Sequence, residues 1–124
     1  LHGWRQMGTI LREIDRETGN KLLFVSQGGT LATLTGYYAG LPSSRVAEIS
    51  ATGNFRVWLQ GKILAPGSDM IYVDENKSSE AMRWAERFNS HTAKSFDIYS
   101  AGKKIRTINV THMRELKEPI HFKN

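Results

Sequence analysis

Glycine-bearing turns cut this chain into short pieces, and the apolar runs between them stay as brief as Leu22-Leu23-Phe24-Val25. Glu17-Thr18-Gly19-Asn20, Ala51-Thr52-Gly53-Asn54, Ala65-Pro66-Gly67-Ser68 and Ala101-Gly102-Lys103 all supply residues that suit tight turns. Runs of this length are far below the roughly 20 apolar residues a membrane helix needs, so no membrane span is expected. They suit short strands joined by hairpins.

The strand reading follows the turns. Met7–Asp15 and Lys21–Ser26 flank the first turn as a predicted hairpin, and Arg45–Ser50 and Phe55–Gln60 flank the second. Thr30–Tyr38, rich in Thr, Leu and Tyr, reads as a strand between them. Ile63–Leu64 and Met70–Val73 are two more short strands, and Phe96–Ser100 with Lys104–Val110 forms a C-terminal hairpin. One segment reads as a helix, about 79–89. Ala81, Trp84, Ala85 and Phe88 recur at i, i+3, i+4 and i+7, with Glu80, Arg83, Glu86 and Arg87 around them. Asn76 or Ser78 would cap it. After the last hairpin, Met113–Glu118 reads as a helical turn or an edge segment, and Leu116, Ile120 and Phe122 are apolar enough to dock.

The expected fold class is therefore α+β: a mainly antiparallel sheet or small barrel, one amphipathic helix at about 79–89, and a C-terminal β-hairpin. The 124 residues make a single domain, 1–124, of ordinary globular composition, 40% hydrophobic and 23% charged. In order of elements it resembles an OB-like barrel, which binds oligonucleotides on its strand face; a pleckstrin-homology-like sheet is the rival. With no cysteine, the chain has no disulfide framework and fits a reducing, cytoplasmic setting.

Chemical signatures are sparse. His2, His91, His112 and His121 have no histidine partner at i+2 or i+4, and no metal or cofactor motif is present. His91 falls where the helix should end and would complement its last carbonyls. Asp69, Asp74 and Glu75 surround a turn and a strand end, where Asp74 and Glu75 are expected to be solvated. Ser43-Ser44 follow Pro42 in a plain loop, and Gly28-Gly29 and Gly102-Lys103-Lys104 lack phosphate-loop spacing. These patterns point away from an enzyme and imply no cofactor.

Charge is the remaining signal. Of a net +5, residues 92–124 carry seven cations against three anions, and the rest is nearly neutral. Such asymmetry favours an acidic partner. Cations also interleave with aromatics on predicted strand faces: Arg56 and Trp58, with Lys62 beyond, and Tyr99, Lys103, Lys104 and Arg106 on the last hairpin, with Phe96, Ile98 and Ile105 inward. Aromatics stack on unpaired bases for about 1–3 kcal/mol each while cations follow phosphates. Those seven residues are the predicted contacts of a non-catalytic module for single-stranded nucleic acid. The alternative is a protein-interaction module, docking an acidic protein surface or a second copy through strand edges and the apolar tail. Trp4, Tyr37 and Tyr38 fit either packing or a stacking platform.

Overall fold

The computed structural model describes residues 3–27, 29–49, 55–56, 63–75 and 79–121. The elements run α1 (Trp4–Glu17), β1 (Leu23–Gln27), α2 (Gly29–Ala39), a 3₁₀ turn (Ser43–Arg45), β2 (Val46–Ile49), β3 (Phe55–Arg56), β4 (Ile63–Leu64), β5 (Met70–Glu75), α3 (Ser79–Ala85), β6 (Phe88–Ser100), β7 (Lys103–Leu116) and β8 (Ile120–His121). Six strands form one mixed sheet in the order β3-β2-β1-β5-β7-β6, and β4 and β8 pair separately. The α+β content stands. Among the described residues this sheet is open, ending in β3 and β6, and does not form the expected barrel.

Three strands at its centre are parallel. β1 pairs β2 in the register Phe24 with Val46, and pairs β5 in the register Phe24 with Ile71. Parallel neighbours need a crossover, which α2 supplies between β1 and β2. The first predicted hairpin does not form, because its first arm is helical. Met7–Asp15 lies within α1, and its apolar residues Met7, Ile10, Leu11 and Ile14 fall at i, i+3, i+4 and i+7, a helical stripe. Thr30–Tyr38 is likewise helical, as α2. Its Thr and Tyr content favours strands, but Leu31, Ala32, Thr35 and Ala39 form a buried helical face, and packing outweighs propensity.

α3 begins at Ser79 as its stripe implies but ends at Ala85 rather than near Asn89. Phe88 already belongs to β6, yet it joins Trp84 and Ala85 in one cluster, so the apolar spacing survives the change of element. His91 is thus an exposed strand residue, not a helix terminus. The proposed caps Asn76 and Ser78 lie outside the described residues. Of the second predicted hairpin, β2 and β3 pair antiparallel, Glu48 with Arg56 and Ile49 with Phe55. β6 and β7 form a long antiparallel pair closed by Ala101 and Gly102, both at positive φ (50° and 78°).

The sheet has two cores. Strand alternation sends Phe24, Ile71, Val73, Ile108 and Val110 to one face, where α1 and α2 bring Trp4, Met7, Leu11 and Leu31. Val25, Met70, Tyr72 and Met113 point to the other, under Trp84, Leu116 and Ile120. Leu116 and Ile120 are 2% and 3% exposed, so these two tail residues pack on their own chain; Phe122 lies outside the described residues. Trp4 is also packing: it is buried and stacks on Tyr38 at 6.1 Å, whereas Tyr37 is 77% exposed.

Two contacts fix α1. Gly8 lies against the Tyr38 backbone, and a Cβ there would collide with the Tyr38 carbonyl oxygen. At the other end, Arg45 donates to both carboxylate oxygens of the buried Asp15 and, from Nε and Nη2, to the Leu22 carbonyl at 3.1 and 2.9 Å. A bidentate, charge-assisted pair of this kind is geometrically specific.

Gly8→Ala should therefore cost about 1–3 kcal/mol, read as a lowered urea midpoint with unchanged slope, because the obstruction is backbone and the helices must separate. Arg45→Met should cost about 3 kcal/mol by leaving Asp15 buried without its cation. Adding Asp15→Asn should recover part of that loss in a double-mutant cycle; simple additivity of the two changes would show that the pair is not coupled.

Candidate functional site

The C-terminal hairpin extends past the helices that cover the rest of its face. Residues 101–106 are all exposed, among them Lys103, Lys104 and Arg106. A bulge between Ile98 and Tyr99 shifts the register, so that Ile98 faces Arg106, Tyr99 faces Lys104 and Ser100 faces Lys103. Tyr99 is 38% exposed and Ile105 49%. The inward placement of Ile105 is thus overturned. Arg106, Ile108 and Val110 share a face by alternation, but α1 and α2 cover only the latter two. Alternation identifies the face, and burial follows only where something packs on it.

The predicted contacts do not form one surface. Arg56 lies in β3 and the hairpin includes β6, at opposite edges of the six-stranded sheet. At about 4.8 Å per strand that is a separation of roughly 24 Å. Trp58 and Lys62 lie outside the described residues. Tyr99, Lys103, Lys104 and Arg106 do cluster at the hairpin tip. Arg106 is ion-paired with Glu75 at 3.0 Å, leaving the two lysines as the less committed charges.

A second polar assembly lies farther along the same strands. His112 Nε2 is 3.0 Å from Asp69 Oδ2, and Asp69 Oδ1 accepts the Glu115 backbone N–H at 3.1 Å. The carboxylate thereby holds the ring in a fixed orientation. Pairing of Ile71 with His112 across β5 and β7 brings these residues together from 43 positions apart. His112 also helps line a cavity of about 410 Å³ between the C-terminal half of α1 and the β6–β7 face. Ile10 and Ile14 form one wall, Phe96 and Val110 the floor. Lys94, Thr92 and Arg114 stand at the strand side, Glu17 and Thr18 at the helix end. Arg114 Nη1 donates to the Thr92 hydroxyl at 3.1 Å, which commits that oxygen as an acceptor. Histidine spacing could not reveal this site, since the partner is an aspartate just ahead of another strand.

On the opposite face, Asp74 is 1% exposed, contrary to the solvated position expected of it. Beside it Tyr72 is fully buried, and its hydroxyl has no hydrogen-bond partner among the described residues. Burial first, then the Asp74 and Glu80 carboxylates, push the phenol well above its ordinary range, so it stays neutral. Among the described residues no group of three His, Cys, Asp or Glu could hold a metal. No helix among them is long and apolar enough to cross a membrane. Compared with known protein families, curated proteins and solved structures, the chain matches none.

Tyr72→Phe should leave the thermal midpoint unchanged or raise it, by up to about 1 kcal/mol of stability, since an unsatisfied buried hydroxyl is a cost. A clear drop in the midpoint would mean that the hydroxyl has a partner that matters.

Proposed function

We propose that this chain is a non-catalytic binding module for single-stranded nucleic acid, contacted through the projecting tip of the β6–β7 hairpin. The observation that carries the reading is the coincidence of Lys103, Lys104 and Arg106 with a half-exposed Tyr99 on a segment left open to solvent. Exposed cations add little to folding, so their clustering is better accounted for by an anionic ligand than by stability. Tyr99 offers a ring face for an unpaired base while the lysines follow the backbone. Arg56 stands at the far edge and is not part of this contact.

A second reading, a protein-interaction module, draws on β6 itself. It is a 13-residue strand at the sheet edge, with His91 to Ser95 exposed in succession, and its outer backbone groups can accept another strand. Solution mass separates the two: a concentration-dependent dimer favours the edge, a monomer the hairpin tip.

Replacing Lys103, Lys104 and Arg106 together with glutamine should leave stability within about 0.5 kcal/mol, as for most surface changes. It should also weaken binding of a fluorescent single-stranded oligonucleotide and reduce the slope of log affinity against log salt by about 1 for each phosphate no longer neutralised. Retained affinity with the parental slope would remove the hairpin as the binding surface. Unfolding would make these residues structural.

A further inference from the structure

We propose that the cavity between α1 and the β6–β7 face binds a small amphipathic carboxylate, its apolar body along the helix and its charged end at Arg114 and Lys94. Its volume of about 410 Å³ lies in the range of small-molecule sites, and its lining is divided by chemistry. Ile10 and Ile14, one helical turn apart, face Phe96 and Val110 and make an apolar slot. Along the strands Phe96 lies toward one end, and past the Lys94–Val110 pair come Thr92, His112 and Arg114 at the other. There donors outnumber acceptors: Arg114 has four N–H groups beyond the one given to Thr92, and Lys94 adds three. Against these, Glu17 is the only carboxylate among the described lining residues. Among the lining side chains two cations stand against one anion, and the Asp69 carboxylate behind His112 disfavours a second negative charge, which matches a monoanionic head and not a doubly charged phosphate. The Asp69 carboxylate already engages His112 from behind, so the ring is held as a fixed wall of the polar end. This site is separate from the hairpin tip, and its failure would leave the nucleic-acid reading untouched.

Octanoate is a suitable probe, with octanol as its uncharged counterpart, acetate as the head alone and octyl phosphate as the dianion. Titration calorimetry on the full chain should show saturable octanoate binding, and octanol, acetate and octyl phosphate should each bind at least tenfold more weakly. Methyl resonances of Ile10, Ile14 and Val110 should shift on adding octanoate. Arg114→Gln, at a half-buried position, and Lys94→Gln, at an exposed one, should each weaken octanoate at least tenfold and leave octanol binding unchanged. The proposal is overturned by any of four results: no saturable octanoate binding at millimolar concentration, equal binding of octanol or octyl phosphate, shifts confined to other parts of the chain, or octanoate affinity unaltered in both glutamine variants.

Discussion

Arg45 is where three separately built pieces of this chain meet. Its guanidinium takes both oxygens of Asp15 at the end of α1 and the carbonyl of Leu22 just ahead of β1, while its own backbone leads directly into β2. Its cation also stands 6.0 Å from the Phe24 ring, in the middle of the core beneath the helices. A carboxylate as buried as Asp15 is costly unless it is paired, so the helix end has one strongly favoured position. Gly8 settles the other half of α1 by allowing backbone-to-backbone approach to α2. The wall formed by Ile10 and Ile14 sits between these two anchors. The geometry of the cavity thus depends on contacts made by residues beside its wall that do not line it themselves.

The two faces of the sheet do different work. One carries the helices and, where α1 stops short of the strands, leaves space lined by both apolar and charged side chains. The other is closed by a short helix and by the chain's own tail, with Arg87 lying over Trp84 at 4.5 Å and the Lys117 backbone N–H donating to the Arg87 carbonyl at 2.9 Å. Charge follows this division. Lys94, Lys104, Arg106 and Arg114 all project from the helix-bearing side of β6 and β7.

How much of this was legible in the sequence varies by element. The stripe in 79–88 was, because its residues enter one core whether they sit on helix or strand. The positive-φ turn at Ala101-Gly102 was, because turn chemistry is local. The stripe in α1 was present but was overridden by the neighbouring turn at Thr18-Gly19-Asn20, which ends a helix as readily as it joins two strands. α2 had no comparable signal, being apolar on most sides, and only the sheet beneath it selects a helix. For the site, exposure of Lys103 and Lys104 could be read from a basic turn. The pairing of His112 with Asp69 could not, since it depends on the register of β5 against β7, and neither could the distance between Arg56 and Tyr99, which depends on strand order.

Strand order also governs when each part can be completed. β6 and β7 meet across a two-residue turn, whereas β1 must find β5 across all the chain from Gln27 to Met70. By loop-closure entropy alone the longer closure costs roughly 3 kcal/mol more. Moreover, β5 is covered on its second edge only by β7, which lies in the last quarter of the chain. As the polypeptide is synthesised from its N-terminus, the parallel centre therefore emerges with the β7 edge of β5 still open. The segment made after that centre is both the charged one and the one that covers its open edge.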